Sequence, residues 1–397
     1  MTIIEKPLGN IASVIMGLSP KGDTYNKEGE GIPLLNGPTE FGDIYPNCTI
    51  FTTDSKRECK KGNLLFCVRG STTGRMNWTD KVYSLGRGVC SITGETSLDT
   101  KYIRYCLELK LDALLKNAGG GTFPNLRKDD LLNFRIPYPT CRDKIASILS
   151  AYDDLIENNN RRIKILEEMA QAIYKEWFIK FRFPGHEKVK MVKSEMGMIP
   201  EGWEVKKLGK IIDFQKGKKA KIIYESLQPE AIPYLLIEGI KNRCFLYTDD
   251  EKMAIAKNDD IIMVMDGASS GQVFIGFHGA VGSTLGIYKV KKDMNYSPYI
   301  VYFFLKDNYK SISDKNIGSA IPHANKEYIA TMDIIPDQKT NGMFDRFARK
   351  TFNQIDVLQR KNLNLRKTRD RLLPKLIGGE IDIENLDIKQ NNLEGVV

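Results

Sequence analysis

Apolar residues recur along 145–177 with a period of seven. The a positions are Ile145, Tyr152, Asn159, Leu166 and Ile173, and the d positions are Leu149, Ile156, Ile163, Ala170 and Trp177. All but Asn159 are apolar or aromatic, and neither Pro nor Gly interrupts the run. A seam sustained this long predicts a coiled-coil helix that needs a partner. The plainer alternative, an amphipathic helix on a globular core, usually stops at about 20 residues. A polar residue at an a position such as Asn159 lowers stability but fixes register.

A second, poorer seam is predicted 199 residues later: Phe344, Ala348, Thr351, Ile355, Leu358, Asn362, Leu365, Arg369, Leu372 and Leu376. Gly342 before it and Gly378-Gly379 after it read as helix boundaries, and Pro374 is expected to disturb the last turn. Each helix would extend about 50 Å. Packed antiparallel, they would leave a globular half at each end of a rod, related by a pseudo-twofold axis. The expected helix-pair contacts are Ile156, Asn159, Ile163, Leu166, Ile173, Ile355, Leu358, Leu365 and Leu372.

Outside the seams the pattern is mixed. Asn63–Val68 and Ile261–Met265 are short apolar runs that predict strands, whereas Tyr102–Leu115 and Tyr299–Leu305 predict helices. Turn residues are dense and strands do not alternate cleanly with helices, so the expected class is α+β. Pro184-Gly185 should break the first helix. The expected organisation is a globular domain over 1–140, a long helix over 141–185 and a linker over 186–202. A second domain over 203–340, a second helix over 341–378 and a tail over 379–397 complete it.

The two globular halves are copies. Leu8-Gly9, Ile11, Gly17 and Ile32-Pro33-Leu35 recur as Leu208-Gly209, Ile211, Gly217 and Ile232-Pro233-Leu235. Leu64-Leu65 and the Gly70-x-x-x-Gly74 loop recur as Ile261-Ile262 and Gly267-x-x-x-Gly271. Pro124 and Pro137 match Pro322 and Pro336. A period of about 200 residues is far too long for a solenoid repeat, so a whole domain with its trailing helix has been duplicated.

Composition narrows the function classes. The chain has 397 residues, 42% hydrophobic and 27% charged, as ordinary soluble proteins do. No run of about 18 apolar residues suggests a membrane span, and the N-terminus does not read as a secretion signal. Seven cysteines without a CxxC pair read as reduced thiols, and three scattered histidines lack metal-ligand spacing. Net charge is +9, which points weakly to an acidic partner such as nucleic acid. Most of the excess lies in the second helix, where residues 341–377 carry ten basic against three acidic side chains.

Catalytic motifs are not found. There is no GxxxxGK[ST] or HExxH, nor the Asn/Asp-Pro-Pro-aromatic tetrapeptide associated with amino-methyltransferases. Gly119-Gly120-Gly121 lacks a phosphate-binding context, and Asp129-Asp130 and Asp259-Asp260 read as exposed turns. No catalytic or metal-ligating residue is therefore assigned.

Loops suited to a polyanion remain. Arg69, Ser71, Thr72, Thr73, Arg75 and Asn77 surround a Gly-x-x-x-Gly turn whose glycines let backbone approach closely. Their copy offers Ser269 and Ser270. Lys216, Lys218 and Lys219 form a basic loop, with Lys21 in its first-half counterpart and Asn36 nearby in sequence. Phe123-Pro124-Asn125 and Ile321-Pro322-His323-Ala324-Asn325 make a third pair, from which Asn125, His323 and Asn325 are candidates. Asn reads adenine and Arg reads guanine in a major groove. The plainer reading of each loop is a simple hairpin.

The whole pattern resembles the specificity subunit of type I restriction-modification systems. The resemblance is carried by Leu155-Ile156-Glu157-Asn158-Asn159-Asn160-Arg161-Arg162, by Gly197-x-Ile199-Pro200-Glu201-Gly202-Trp203 and by Leu376-Ile377-Gly378-Gly379-Glu380-Ile381. The Gly70–Gly74 loop and Gly86-Arg87-Gly88 are similar too, whereas Arg369 and the shortened Asn run in the second helix depart from it. The resemblance implies two target-recognition domains, each reading half of a split site on double-stranded DNA. It implies a helix pair that sets the unread spacer and docks two modification (methyltransferase) subunits, joined by restriction subunits. S-adenosylmethionine, ATP and Mg²⁺ would belong to those partners, with no cofactor in this chain, a non-enzymatic role and a prokaryotic cytoplasmic location. The alternatives are a coiled-coil scaffold without a DNA role, or a DNA-modifying enzyme with an unrecognised active site.

Overall fold

The first globular half closes on itself through an antiparallel pair between Glu5–Pro7 and Arg135–Pro137. Between these ends lies a four-stranded antiparallel sheet in the order Ala12–Met16, Val89–Gly94, Leu64–Cys67, Met76–Trp78. A second sheet sets Ile32–Leu35 parallel to Tyr83–Leu85 and adds three two-residue strands. The run Leu64–Cys67 is buried on both faces, which is why it reads as uninterrupted apolar sequence rather than alternation. The computed structural model describes residues 3–116, 119, 124–294, 296–318, 322–335 and 337–387.

The second half repeats this design, with four strands instead of five in its second sheet. Lys206–Lys207 pairs with Asp333–Ile334 to close the domain. The four-stranded sheet runs Ile212–Lys216, Leu285–Val290, Ile261–Val264, Val273–Phe274. In the second sheet Ile232–Leu235 is parallel to Gly279–Val281. One helix follows the last long strand in each half, Ser97–Leu109 in the first and Pro298–Asp307 in the second. The duplication inferred from glycines and prolines is thus a duplication of topology.

The two long helices are present, with boundaries that differ from those expected. The first runs over Arg142–Tyr174 and continues as a π-helical turn over Lys175–Ile179. It ends before Pro184-Gly185, at Phe181, whose φ of 56° turns the chain. The second runs over Gln338–Ile377. Gly342, expected to precede it, lies inside it, because Asp337 Oδ2 accepts from the Thr340 backbone N–H at 2.7 Å and starts the helix earlier. Pro374, expected to disturb the last turn, lies inside the helix. Only three residues follow Pro374, and its carbonyl accepts from the Gly378 N–H at 2.8 Å, so the final turn closes around the ring. Among the described residues no helix is long and apolar enough to cross a membrane.

The chain divides into two compact units, 1–156 with 364–397, and 157–363. Each contains one globular half and a stretch of each long helix. In the first unit, Ile145 and Leu149 share a core with Leu373, Leu376 and Ile377, together with Leu64, Phe66, Ile92 and Tyr102. Asp153 meets Arg369 in the same unit, so the two stretches run antiparallel there. In the second unit, Ala170, Tyr174 and Phe178 pack with Phe344 and Ala348 against Phe303 and Ile261. Asn159 meets Asn362, and the stretches are again antiparallel. None of the twenty predicted seam positions is exposed.

Each small helix is bolted to the long helix of its own unit at its N-cap. Thr96 Oγ1 caps Ser97–Leu109, and Asp99 returns the bond to the Thr96 N–H at 3.1 Å. The Asp99 carboxylate also accepts from Arg142 Nε at 2.7 Å. Burial would raise that carboxyl, but Arg142 and Thr96 outweigh it and hold it below the usual aspartate range. In the second unit Ser297 caps Pro298–Asp307, its N–H donates to Asn341 Oδ1 and its hydroxyl to Asp345 at 2.8 Å. Residues 186–202, read as a linker, hold a hairpin of Met191–Ser194 and Gly197–Pro200. Just beyond it, Trp203 stacks on Phe183 with ring centroids 5.1 Å apart.

Candidate nucleic-acid interface

In the first unit three loops converge at one end of the four-stranded sheet. The turn between Leu64–Cys67 and Met76–Trp78 needs positive φ at Gly70 (96°) and Gly74 (93°), which glycine adopts without strain. Gly70 N–H donates to Pro124 O at 3.3 Å, and Arg69 Nε donates to Asn125 Oδ1 at 3.3 Å. Val68 N–H reaches Gly88 O at 3.0 Å, tying the turn to the loop that carries Arg87. That loop meets the 16–21 segment so closely that a Cβ on Gly17 would lie 2.1 Å from Gly86 O. The recurrence of Gly17 and Gly217 in sequence therefore marks this approach, since a Cβ on Gly217 would lie 2.1 Å from Gly282 O.

The second unit builds the same end. Gly267 N–H donates to Pro322 O at 2.9 Å, and Lys218 N–H donates to Val281 O at 2.9 Å. Asp266 sits where the first unit has Arg69, and His323 where it has Asn125; both pairs form an isolated antiparallel bridge. His323 Nδ1 lies 2.8 Å from Asp266 Oδ1, and Lys216 Nζ lies 2.8 Å from Asp266 Oδ2. Burial would raise the Asp266 carboxyl, while Lys216 and His323 pull it below the usual range. Each proposed loop trio is thus assembled in space, although its members are distant in sequence.

The individual candidates separate into two groups. Lys21, Arg69, Ser71, Thr72, Arg75, Lys216, Lys218, Lys219 and His323 are exposed, and Asn36, Asn125, Ser269 and Asn325 half-buried. Thr73, Asn77 and Ser270 are buried and must be withdrawn as DNA contacts. Thr73 Oγ1 donates within the loop region, lying 2.7 Å from Gly70 O and 3.0 Å from Pro124 O. Asn77 Nδ2 donates to Gly42 O at 3.0 Å. Asn325 Oδ1 caps the helix Lys326–Thr331, accepting from the Tyr328 N–H at 2.9 Å. Arg75 is exposed, yet its guanidinium donates to Pro38 O and Phe41 O and holds the 36–42 loop in place.

Sequence reasoning left out two residues that the geometry brings in. Arg87 is exposed on the loop between Tyr83–Leu85 and Val89–Gly94, and the glycines that flank it were the available signal. Asp266 carried no signal of its own, because its role depends on Lys216 and His323 arriving from other loops. Phe123, Gly120, Gly121, Ile321 and Pro336 lie outside the described residues. The exposed cations of the second long helix include Arg346, Lys350, Lys361, Lys367, Arg371 and Lys375. None of these six occupies a predicted seam position.

Comparison with known proteins identifies the family. The family described as type I restriction modification DNA specificity domain matches twice, at residues 4–168 and 200–342. The type I restriction enzyme MjaIX specificity subunit of Methanocaldococcus jannaschii is 29% identical over 361 residues, covering 84% of this chain and 82% of that protein. The MjaVIII specificity subunit of the same organism is 25% identical over 311 residues, covering 73% and 72%. The crystal structure of a type I restriction-modification S subunit from M. genitalium shares the fold, with a TM-score of 0.60 and 18% identity over 94% of this chain and 96% of that one. Two matches that together span most of the sequence, one on each copy of the three-loop end, settle the family: this chain belongs to the type I restriction-modification DNA specificity family.

Proposed function

We propose that the chain is the DNA-reading subunit of a type I restriction-modification complex. Each globular domain reads one half of a bipartite site through its three converging loops. The helix pair sets the spacer and docks two methyltransferase subunits, and ATP-dependent restriction subunits join that core. The observation that carries this is the double family match superimposed on a duplicated domain. Two readers with a shared frame and different tips suit an asymmetric, split site, because the frame fixes approach to the phosphates while tip side chains select bases.

The chain's own role is recognition, not chemistry. Methyl transfer would use S-adenosylmethionine held by the modification subunits, and ATP and Mg²⁺ would serve the restriction subunits. The exposed side chains at the loop ends are hydroxyls, guanidiniums, ammoniums and the His323 imidazole, with half-buried amides beside them, and such groups bind phosphates and base edges. The test is to reconstitute the chain with its modification subunits, modify a plasmid library and sequence the methylated adenines. A split site with two specific parts and an indifferent gap is expected. Methyl transfer by the chain alone, or a single continuous indifferent footprint, would overturn the assignment.

A further inference from the structure

We propose that His323 is a base-reading residue of the second domain, with Asp266 and Lys216 as its positioning residues. This rests on the assignment of the chain as a DNA reader and adds which side chain discriminates and by what chemistry.

Three observations converge on His323. It occupies the same cross-loop bridge as Asn125 of the first domain, so the shared frame places different reading chemistry at one position in the two copies. Its ring is about half exposed, with 52% of the side-chain surface accessible, whereas Asp266 behind it is only 25% accessible. Its Nδ1 is already committed to Asp266 Oδ1 at 2.8 Å, and Asp266 is itself fixed from the other side by Lys216 at 2.8 Å. A ring held at one nitrogen by a braced carboxylate is pre-organised, which lowers the ordering cost of a contact made by the other nitrogen.

The chemistry of that contact follows from proton bookkeeping. The ionised Asp266 carboxylate has no proton to give, so Nδ1 carries the hydrogen and donates it. In the tautomer this sets, Nε2 carries the lone pair and is the acceptor left for a base. In a major groove an acceptor is matched by an exocyclic amino group, adenine N6 or cytosine N4. In the first domain, Asn125 shares its amide oxygen with Arg69 Nε, so the exposed group there is a guanidinium, a donor suited to guanine.

The experiment uses the reconstituted complex with modification subunits and sequencing of methylated sites on a plasmid library. His323→Ala is expected to lower discrimination about tenfold at one base pair of one half-site, leaving the other half unchanged. Asp266→Ala should relax that same base pair, while Asp266→Asn, whose amide oxygen still accepts from Nδ1, should preserve it. A duplex lacking the exocyclic amino group at that position should weaken the wild-type complex and leave His323→Ala unaffected. If His323→Ala abolishes assembly, His323→Asn is read in the same way. Unchanged letters in both half-sites with the histidine variants would overturn the inference and leave the reader intact. A wild-type complex that methylates no split site would overturn both.

Discussion

Asn159 Nδ2 donates to Asn362 Oδ1 at 2.8 Å across the helix seam, and Asn362 Nδ2 donates in turn to Asn160 Oδ1 at 2.8 Å. Asn362 is nearly fully buried, so this is a satisfied polar contact inside an otherwise apolar interface. A shift of one heptad would set Asn159 against Ile355 or Arg369 and Asn362 against Tyr152 or Leu166, breaking both amide bonds, and an amide left unpaired among aliphatic side chains costs about 1–3 kcal/mol. The pair therefore acts as a register pin.

The first prediction follows from that pin. Replacing Asn362 alone with Leu strands Asn159 and Asn160 and should lower the melting temperature. Replacing both Asn159 and Asn362 with Leu should restore or raise it, while the methylated sites acquire more than one spacer length. Thermal unfolding together with methylation-site sequencing checks this. A double variant with a single unchanged spacer would show that register is fixed elsewhere.

A second prediction concerns the joint inside the first unit. Asp153 accepts from Arg104 at 2.8 Å and from Tyr105 at 2.5 Å, and it pairs with Arg369 from the second helix. Burial raises its carboxyl, but Arg104, Tyr105 and Arg369 outweigh burial and lower it. Asp153→Ala leaves Arg369 with only Asp370 and removes the half-buried bonds from Arg104 and Tyr105, and should destabilise the unit by about 1–3 kcal/mol. Because the folded carboxyl lies below its unfolded value of about 3.9, the stabilisation is present above that pH and is lost as pH falls below it. Acid titration of the melting temperature should show a shallower loss below pH of about 4 for Asp153→Ala than for the wild type.

These two contacts mark what was legible in the sequence. The helices were, because their seam is apolar and strictly spaced, and Asn159 could be singled out within it. The match of Asn362 was visible as a seam position, but its two hydrogen bonds, accepted from Asn159 and donated to Asn160, were not. Arg369 read as a flaw in the second seam, since nothing local announces Asp153 waiting beside it. Gly342 misled in the same way, because an Asp337 cap decides that helix start. The loops were legible as frames through Gly17 and Gly217, where backbone approaches too closely for a Cβ, and through Gly70, Gly74 and their copies, whose positive φ favours glycine. Which polar tips face outward was not, because Thr73, Asn77 and Ser270 look like surface residues until burial is known.

That distinction yields a third prediction. Arg69 is exposed and Asn77 is buried on the same hairpin. Arg69→Ala should change stability by no more than about 0.5 kcal/mol, yet weaken DNA binding and its salt dependence. Asn77→Ala removes the bond to Gly42 O and should lower stability by about 1 kcal/mol, with the half-site letters intact. Denaturant unfolding and salt-dependent binding of the assembled complex separate the two effects. Equal effects from both variants on binding alone would contradict the division into tips and frame.

The last prediction concerns the ruler. Residue 159 faces 362, so in an antiparallel pair residues 163–169 of the first helix face 352–358 of the second. Both segments lie within the second unit, and each contributes two seam positions, Ile163 and Leu166 on one side and Ile355 and Leu358 on the other. Deleting both segments removes one heptad from each helix, keeps every remaining seam residue in phase and spares the Asn159–Asn362 pin. It shortens each helix by about 10 Å, at 1.5 Å per residue. Along B-form DNA, at 3.4 Å per base pair, that is a spacer shorter by about three base pairs. Seven residues are close to two helical turns, so the shortened unit keeps nearly its original rotation about the helix axis. Sequencing the sites methylated by the reconstituted complex should show the same letters in both half-sites with the shorter gap. If letters change along with the gap, the helices do more than measure, and the loops depend on them for their aim.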